Sequence, residues 1–176
     1  MELQGKHVLV YGAGRSGIGA CNLLAECGAA PVLFDEKEGL EKEAMLAGVE
    51  KKDAVTACPG TLPEDIIDSL DLVVLSPGVP TDLPKVRMLK DRGLPVIGEV
   101  ELAYETGRGR VLAITGTNGK TTTTALLGEI MKAAVPEVFV VGNIGNAYTG
   151  AALATTDNSV VVAEISSFQL ETIDKF

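Results

Sequence analysis

Lys120 closes the run Gly116-Thr117-Asn118-Gly119-Lys120 and is followed by Thr121-Thr122-Thr123-Thr124. The apolar segment Val111-Leu112-Ala113-Ile114-Thr115 precedes this run and the helical pattern ALLGEIMK follows it. In a strand, loop and helix of this kind, successive backbone amides can cradle the β- and γ-phosphates of a nucleoside triphosphate. Lys120 then supplies a mobile positive charge, and the Thr121 hydroxyl can ligate Mg2+. The longer GxxxxGK[ST] spacing would want glycine at 114, where Ile114 stands, so the loop is a shortened variant. A threonine-rich helix cap carrying GKT by accident is the competing reading, and the correctly placed strand and helix weigh against it. One hydroxyl cannot orient Mg2+ alone, so an acid is expected at the end of a neighbouring strand. Glu164 interrupts the apolar run Val160-Val161-Val162-Ala163, where an acid is either a ligand or a solvated strand end.

A second glycine loop stands near the N-terminus. His7-Val8-Leu9-Val10-Tyr11 leads into Gly12-Ala13-Gly14-Arg15-Ser16-Gly17 and then a helical stretch, which is the context that GxGxxG requires. Gly12 permits a tight turn, Gly14 lets a ligand approach the backbone, and Gly17 lets the helix pack closely. Asp35, 18 residues after Gly17, ends the next apolar run, where an acid commonly accepts hydrogen bonds from a ribose or base. By itself the pattern serves a nucleotide-type ligand or simple helix packing equally well. Ser76-Pro77-Gly78-Val79-Pro80 ends a further strand on the same sheet edge, either as a stiff turn or as part of the site. With one mononucleotide-binding half before this elbow, a shorter nucleotide fits better than NAD.

Bulk properties narrow the partners. Fifteen basic against 24 acidic side chains give a net charge of -9, which argues against a duplex nucleic acid needing a broad basic face. An anionic small ligand is still compatible, because screening over roughly 8 Å makes a phosphate answer to its nearest charges and amides. Cys21, Cys27 and Cys58 form no CxxC pair, which reads as a reduced cytosolic thiol set. No signal-peptide pattern and no membrane-length apolar run appears, so a cytoplasmic protein without membrane attachment is expected. The single histidine, His7, precedes an apolar run and reads as a strand-entry surface residue, which removes any histidine-based triad.

The elements that must position these residues are short Val/Leu/Ile runs: 7–11, 31–35, 72–76, 95–97, 110–115, 137–141 and 159–165, read as buried parallel strands. Helical stretches fall at 16–27, 63–70, 84–92 and 120–133. This βα alternation predicts an α/β fold: a Rossmann-like N-terminal domain followed by the first part of a phosphate-loop ATP-binding α/β domain. The boundary is placed near Gly98, before the short charged glycine segment Thr106-Gly107-Arg108-Gly109-Arg110, giving domains 1–97 and 98–176.

Three runs in order, GTNGKTT, then Gly142-Asn143-Ile144-Gly145, then Glu164-Ile165-Ser166-Ser167-Phe168-Gln169-Leu170-Glu171, resemble the Mur ligases. SSFQLE, together with GAGRSG and SPGVP, is most similar to the D-glutamate-adding branch, and the resemblance covers the whole chain. It implies that Gly14, Arg15, Ser16, Asp35, Ser76, Pro77 and Gly78 line a site for the UDP part of UDP-N-acetylmuramoyl-L-alanine. It implies that Gly116, Thr117, Asn118, Gly119, Lys120, Thr121 and Thr122 bind ATP, with Lys120 catalytic. Thr121 and Glu164 would ligate Mg2+, and Asn143 and Gln169 would help position substrate and phosphates.

The implied activity is ATP-dependent amide formation through an acyl phosphate, with D-glutamate as the amine, in peptidoglycan precursor synthesis. Glu36 departs from the family, whose members often carry a small hydroxyl residue there, so contacts to uracil or ribose are altered. The family's later functional residues and its D-glutamate domain would lie beyond Phe176. The chain is therefore expected to be an N-terminal portion incompetent for turnover, with the second domain unfinished after about three strands. Its open apolar sheet edge is expected to self-associate or be poorly ordered. The alternatives are a non-catalytic module holding the UDP precursor, another amino-acid-adding Mur ligase, and an NAD-dependent oxidoreductase.

Overall fold

The computed structural model describes residues 1–143 and 146–176, and the chain divides into two compact units, Met1–Glu99 and Val100–Phe176. The first unit contains β1 (His7–Tyr11), α1 (Arg15–Glu26), β2 (Ala30–Asp35), α2 (Lys42–Met45), β3 (Thr56–Pro59), α3 (Glu64–Ser69), β4 (Leu72–Leu75), α4 (Pro84–Asp91) and β5 (Val96–Gly98). The five strands are all parallel, in the order β3-β2-β1-β4-β5. Apolar residues run continuously along β1 and β4 because both sheet faces are covered. Leu9, Tyr11, Val32, Phe34, Val73 and Leu75 pack on one face against Ile67, Val86 and Leu89 from α3 and α4. α1 packs on β1 and β2 and buries Ala20, Cys21, Leu23 and Leu24. Burial pushes the Cys21 thiol up to about 12, which suits a packing residue with no thiolate chemistry.

β3 is an element that the apolar runs did not reveal, and it makes the SPGVP elbow the end of the fourth strand instead of the third. Its sequence, Thr-Ala-Cys-Pro, lacks a branched aliphatic run and ends in proline, as an edge strand can.

α5 (Glu99–Thr106) starts at the last residue of the first unit. The second unit continues with β6 (Arg110–Ile114), α6 (Lys120–Ala134), β7 (Val138–Gly142), α7 (Tyr148–Ala151), β8 (Val160–Glu164) and α8 (Ser167–Leu170). Its sheet is parallel with order β6-β8-β7. Only the central β8 is buried along its whole length. β6 and β7 are largely half-buried, which corrects the expectation of buried strands throughout, since each is an edge with one strand neighbour. α6 carries Leu126 and Ile130 outward at 61% and 54% exposure. Among the described residues no helix is long and apolar enough to cross a membrane.

Glu101 of α5 is buried and its carboxylate accepts three successive backbone N–H groups, from Asp174 (3.0 Å), Lys175 (3.0 Å) and Phe176 (3.2 Å). One helical turn along, Glu105 pairs with the Lys175 ammonium at 2.7 Å, and Tyr104 meets the Phe176 ring edge-on at 5.4 Å. Glu101→Ala leaves those three amides without their acceptor, and the expected loss is about 2 kcal/mol. Glu101→Gln, which keeps one acceptor oxygen, is expected to lose less. Urea unfolding of the three proteins checks the order wild type, Gln, Ala.

Candidate functional site

The first candidate site lies where the strand order of the first unit reverses. The chain passes from β1 outward through β2 to β3, then crosses back to β4 and β5, so β1 and β4 are adjacent and diverge in their connections. Open parallel sheets bind ligands beyond the carboxyl ends of the strands at such a point. The register pairs Tyr11 with Phe34 and with Leu75, so Gly12, Asp35 and Ser76 emerge side by side at one level.

Their contacts make a braced loop. The Gly12 N–H donates to the Phe34 carbonyl at 2.7 Å, and the buried Ser76 hydroxyl donates to the Gly12 carbonyl at 3.0 Å. Asp35 accepts the Ala13 N–H on Oδ2 (2.9 Å) and the Lys37 N–H on Oδ1 (3.0 Å). In this structure both Asp35 oxygens therefore serve the protein backbone and shape the glycine loop. The Val79 N–H closes the SPGV turn onto the Ser76 carbonyl at 2.9 Å, with Pro77 half-buried and Gly78 exposed.

The two glycines flanking Arg15 and Ser16 differ in kind. A Cβ on Gly17 would stand 1.9 Å from the Gly12 carbonyl oxygen, so this residue must lack one for α1 to lie against the loop. A Cβ on Gly14 would meet nothing within 4 Å, and its φ of -78° is open to any residue. Gly14 precedes a helix start that no side chain caps, with Arg15 exposed and Ser16 half-buried beside it. Uncapped amides facing open space fit an anion such as a phosphate.

Glu36 has a neighbour that sequence spacing did not disclose. Lys85, in the first turn of α4, sits 3.9 Å from the Glu36 carboxylate and 4.7 Å above the Phe34 ring, which in turn packs 4.8 Å from Tyr11. Burial, with Glu36 adding to it, raises the Tyr11 hydroxyl well above its ordinary value.

The second candidate site lies around β8. Glu164 pairs in register with Ile114 on one side and Gly142 on the other. The carboxylate thus stands at the end of the central strand, level with the residue two before Gly116. Glu164 is 4% exposed, and its Oε2 has no hydrogen-bond partner among the described residues. Gly142 lets β7 end tightly against this point, since a Cβ there would come within 2.1 Å of the Glu164 carbonyl oxygen. The exposed Asn143 donates its backbone N–H to that same carbonyl at 3.2 Å, and Ile144 and Gly145 of the GNIG run lie outside the described residues.

Residues 115–119 form an exposed loop, and Gly119 in the left-handed region caps α6. The half-buried Lys120 turns its ammonium back to the Gly116 carbonyl at 2.6 Å, and Thr121 and Thr122 are exposed beside it. A pocket of about 540 Å3 lies against the loop, lined by Thr115, Gly116, Thr117, Lys120, Ser166, Ser167 and Phe168. Gln169 is buried, and its side-chain oxygen accepts the Ser166 N–H (2.9 Å) and hydroxyl (3.1 Å). The Ser166 hydroxyl accepts the Gln169 N–H in return, which completes a capping box. Gln169 therefore holds the turn that follows Glu164. Among the described residues no three His, Cys, Asp or Glu side chains cluster to hold a metal ion. The buried Glu164 carboxylate, with its unpartnered oxygen, has the chemistry of a ligand to Mg2+ that phosphates and water would share, not of an all-protein cage.

Comparisons with known proteins accord with both units. The sequence profile of the Mur ligase MurD-like N-terminal domain matches residues 6–98, and that of the Mur ligase middle domain matches residues 114–176. The UDP-N-acetylmuramoylalanine--D-glutamate ligase of Lachnospira eligens is 50% identical over 178 residues, covering 100% of this chain and 39% of the relative. The protein of the same name from Lachnoclostridium phytofermentans is 52% identical over 176 residues, again 100% and 39%. The chain thus spans about two fifths of the length of the curated relatives it matches. Among solved structures, the UDP-N-acetylmuramate:L-alanyl-gamma-D-glutamyl-meso-diaminopimelate ligase from Neisseria meningitides aligns with a TM-score of 0.57 at 19% identity, over 91% of this chain and 52% of that one. That likeness speaks to the fold. With one profile covering more than half of the sequence and a second following it in order, the chain belongs to the Mur ligase family, in its MurD-like branch.

Proposed function

We propose that this chain carries the sugar-nucleotide and MgATP sites of an ATP-dependent ligase that adds D-glutamate to UDP-N-acetylmuramoyl-L-alanine in the cytoplasm. Residues 1–97 form the domain for the UDP moiety, with Gly14, Arg15, Ser16, Asp35, Ser76, Pro77 and Gly78 at its site. Residues 98–176 form the ATP-binding part. The observation that supports this most is Glu164, a buried carboxylate with an unsatisfied oxygen at the end of the strand beside the phosphate-loop strand. A charged oxygen left in that position is costly unless a cation joins it.

In the proposed reaction the substrate carboxylate attacks the γ-phosphorus of ATP, the bond to the β-phosphate oxygen breaks, and ADP leaves. The D-glutamate amine then attacks the acyl carbon, loses a proton and expels phosphate. Loop amides of residues 116–122 hold the phosphates in place, and the Lys120 ammonium leaves the Gly116 carbonyl to follow the charge on the transferring group. Thr121 and Glu164 would hold Mg2+, which neutralises developing phosphate charge when bound. Gln169 positions the turn after Glu164, and Asn143 ties the end of β7 to it.

Calorimetric titration of the chain with UDP-N-acetylmuramoyl-L-alanine, MgATP and NADH tests the reading. Binding of the first two and not the third is expected. Binding of NADH, or of the precursor without any ATP site, would replace it with one of the alternatives.

A further inference from the structure

Among the described residues three buried side-chain atoms lack a hydrogen-bond partner: Tyr11 Oη, Thr124 Oγ1 and Glu164 Oε2. The last two belong to neighbouring elements of the second unit. Thr124 is fully buried on α6, and Glu164 is 4% exposed at the end of β8. A threonine inside a helix can return its hydroxyl to the carbonyl four residues back. Thr124 does not, so a hydrogen-bond donor stands unused in the interior, where leaving it so is costly.

The register brings the two orphaned groups to one place. α6 starts from the loop at the carboxyl end of β6 and runs back over β8 and β7. Gly128 lies against Val140, since an added Cβ would stand 2.6 Å from Val140 Cγ2. Val140 pairs in register with Val162, so both side chains project to the α6 face of the sheet. Glu164, two residues beyond Val162, projects to the same face. Along α6, Thr124 precedes Gly128 by four residues, a rise of about 6 Å. Along β8, Glu164 lies beyond Val162 by about 6.6 Å in the matching direction. Thr124 is therefore level with Glu164, on the buried stripe of α6 that covers it.

We infer that Thr124 is a positioning residue for Glu164, its hydroxyl donating through one ordered water to the carboxylate oxygen that has no other partner. The water follows from the spacing, because the two atoms share no direct hydrogen bond and a gap between buried polar groups is where a bridging water settles. A carboxylate oxygen has two lone pairs, so Oε2 takes this bond and still faces a cation. The role rests on the reading above, in which Glu164 holds Mg2+ beside the nucleotide. Partners behind a metal ligand fix its orientation, and their loss lowers metal affinity.

Calorimetry measures the gain in ATP affinity on adding Mg2+ for wild type and three variants, with circular dichroism confirming that each is folded. Thr124→Val and Thr124→Ala lose the hydroxyl, and Thr124→Ser keeps it. The two hydroxyl-free variants are expected to cut the magnesium gain by roughly three- to tenfold, and serine to retain it. Affinity for ATP without Mg2+ is expected to be equal in all four proteins. In a Glu164→Gln background Thr124→Val is expected to add no further loss, because the ligand that it positions is gone. Hydroxyl-free variants with the full gain, serine no better than valine, or losses that add in the double variant overturn the inference and leave the magnesium reading standing. Wild type that gains nothing from Mg2+ removes that reading and the role of Thr124 together.

Discussion

Lys120→Ala is expected to weaken MgATP binding at least a hundredfold while leaving the protein folded. The side chain is half-buried at the start of α6, and among the described residues its ammonium bonds the Gly116 carbonyl in an exposed loop. Losing an exposed contact of that kind costs little stability. Binding is different in scale. A unit charge about 4 Å from a phosphate charge gains roughly 4 kcal/mol at an effective dielectric of 20. Removing solvent from both groups takes back part of this, and a hundredfold change corresponds to about 2.7 kcal/mol. Calorimetry with MgATP gives the affinity, and a thermal melt without nucleotide reports the fold. An unchanged affinity would mean that the ammonium does not reach the phosphates.

The second large effect is a contrast within one loop. Gly17→Ala is expected to destabilise the first unit by about 3 kcal/mol, the upper part of the range for overpacking. The obstacle is the Gly12 carbonyl oxygen, 1.9 Å from the added carbon, and a backbone atom cannot rotate away as a side-chain tip could. Gly12 is also tied to Phe34 and Ser76, so any shift is passed to β2 and β4. For a unit of this size the midpoint falls by roughly 12 to 24 °C.

Gly14→Ala, three residues earlier, is expected to change stability by less than about 1 kcal/mol, because a small loss in helix capping is set against lower unfolded-state entropy. Its methyl group projects into open space at the uncapped helix start, where the diphosphate of the sugar nucleotide is proposed to lie. Affinity for the UDP precursor is therefore expected to drop about tenfold or more, by obstruction of the close backbone approach. Melting curves and precursor titrations on both variants check the pair. Equal melting losses at 14 and 17 would show that the loop is built for packing alone.

The candidate site is legible in the sequence wherever its residues lie together in the chain. Gly116 through Thr121 is contiguous, and an acid at 164 inside a valine run is visible without any structure. Contacts that close across the chain carry no such sign. Lys85 and Glu36 are brought together by the return of the chain through β3 and β4, and Gly142 is small because the Glu164 backbone lies against it. Asp35 was singled out by type and place and Gln169 by the family resemblance, yet each spends its side chain on the backbone of its own loop, a use that only geometry displays.

In the fold, buried central strands announced themselves as branched aliphatic runs. β3 did not, being a four-residue edge ending in proline, and α5 was hidden because it begins directly from β5 without a cap residue between them. The exposure of Phe168 is not legible in sequence, since an aromatic held in solvent and one in a core are spelled alike.

The proposed sharing of one magnesium nucleotide between Glu164 and the phosphate loop is tested by calorimetry of ATP with and without Mg2+, on wild type and Glu164→Gln. In wild type, Mg2+ should raise ATP affinity at least tenfold, whereas in the Gln variant the gain should shrink below about threefold. The unliganded variant should melt no lower than wild type, since the substitution removes a buried charge with an unsatisfied oxygen. A Glu164→Gln protein that keeps the full magnesium dependence would mean that this carboxylate does not hold the ion.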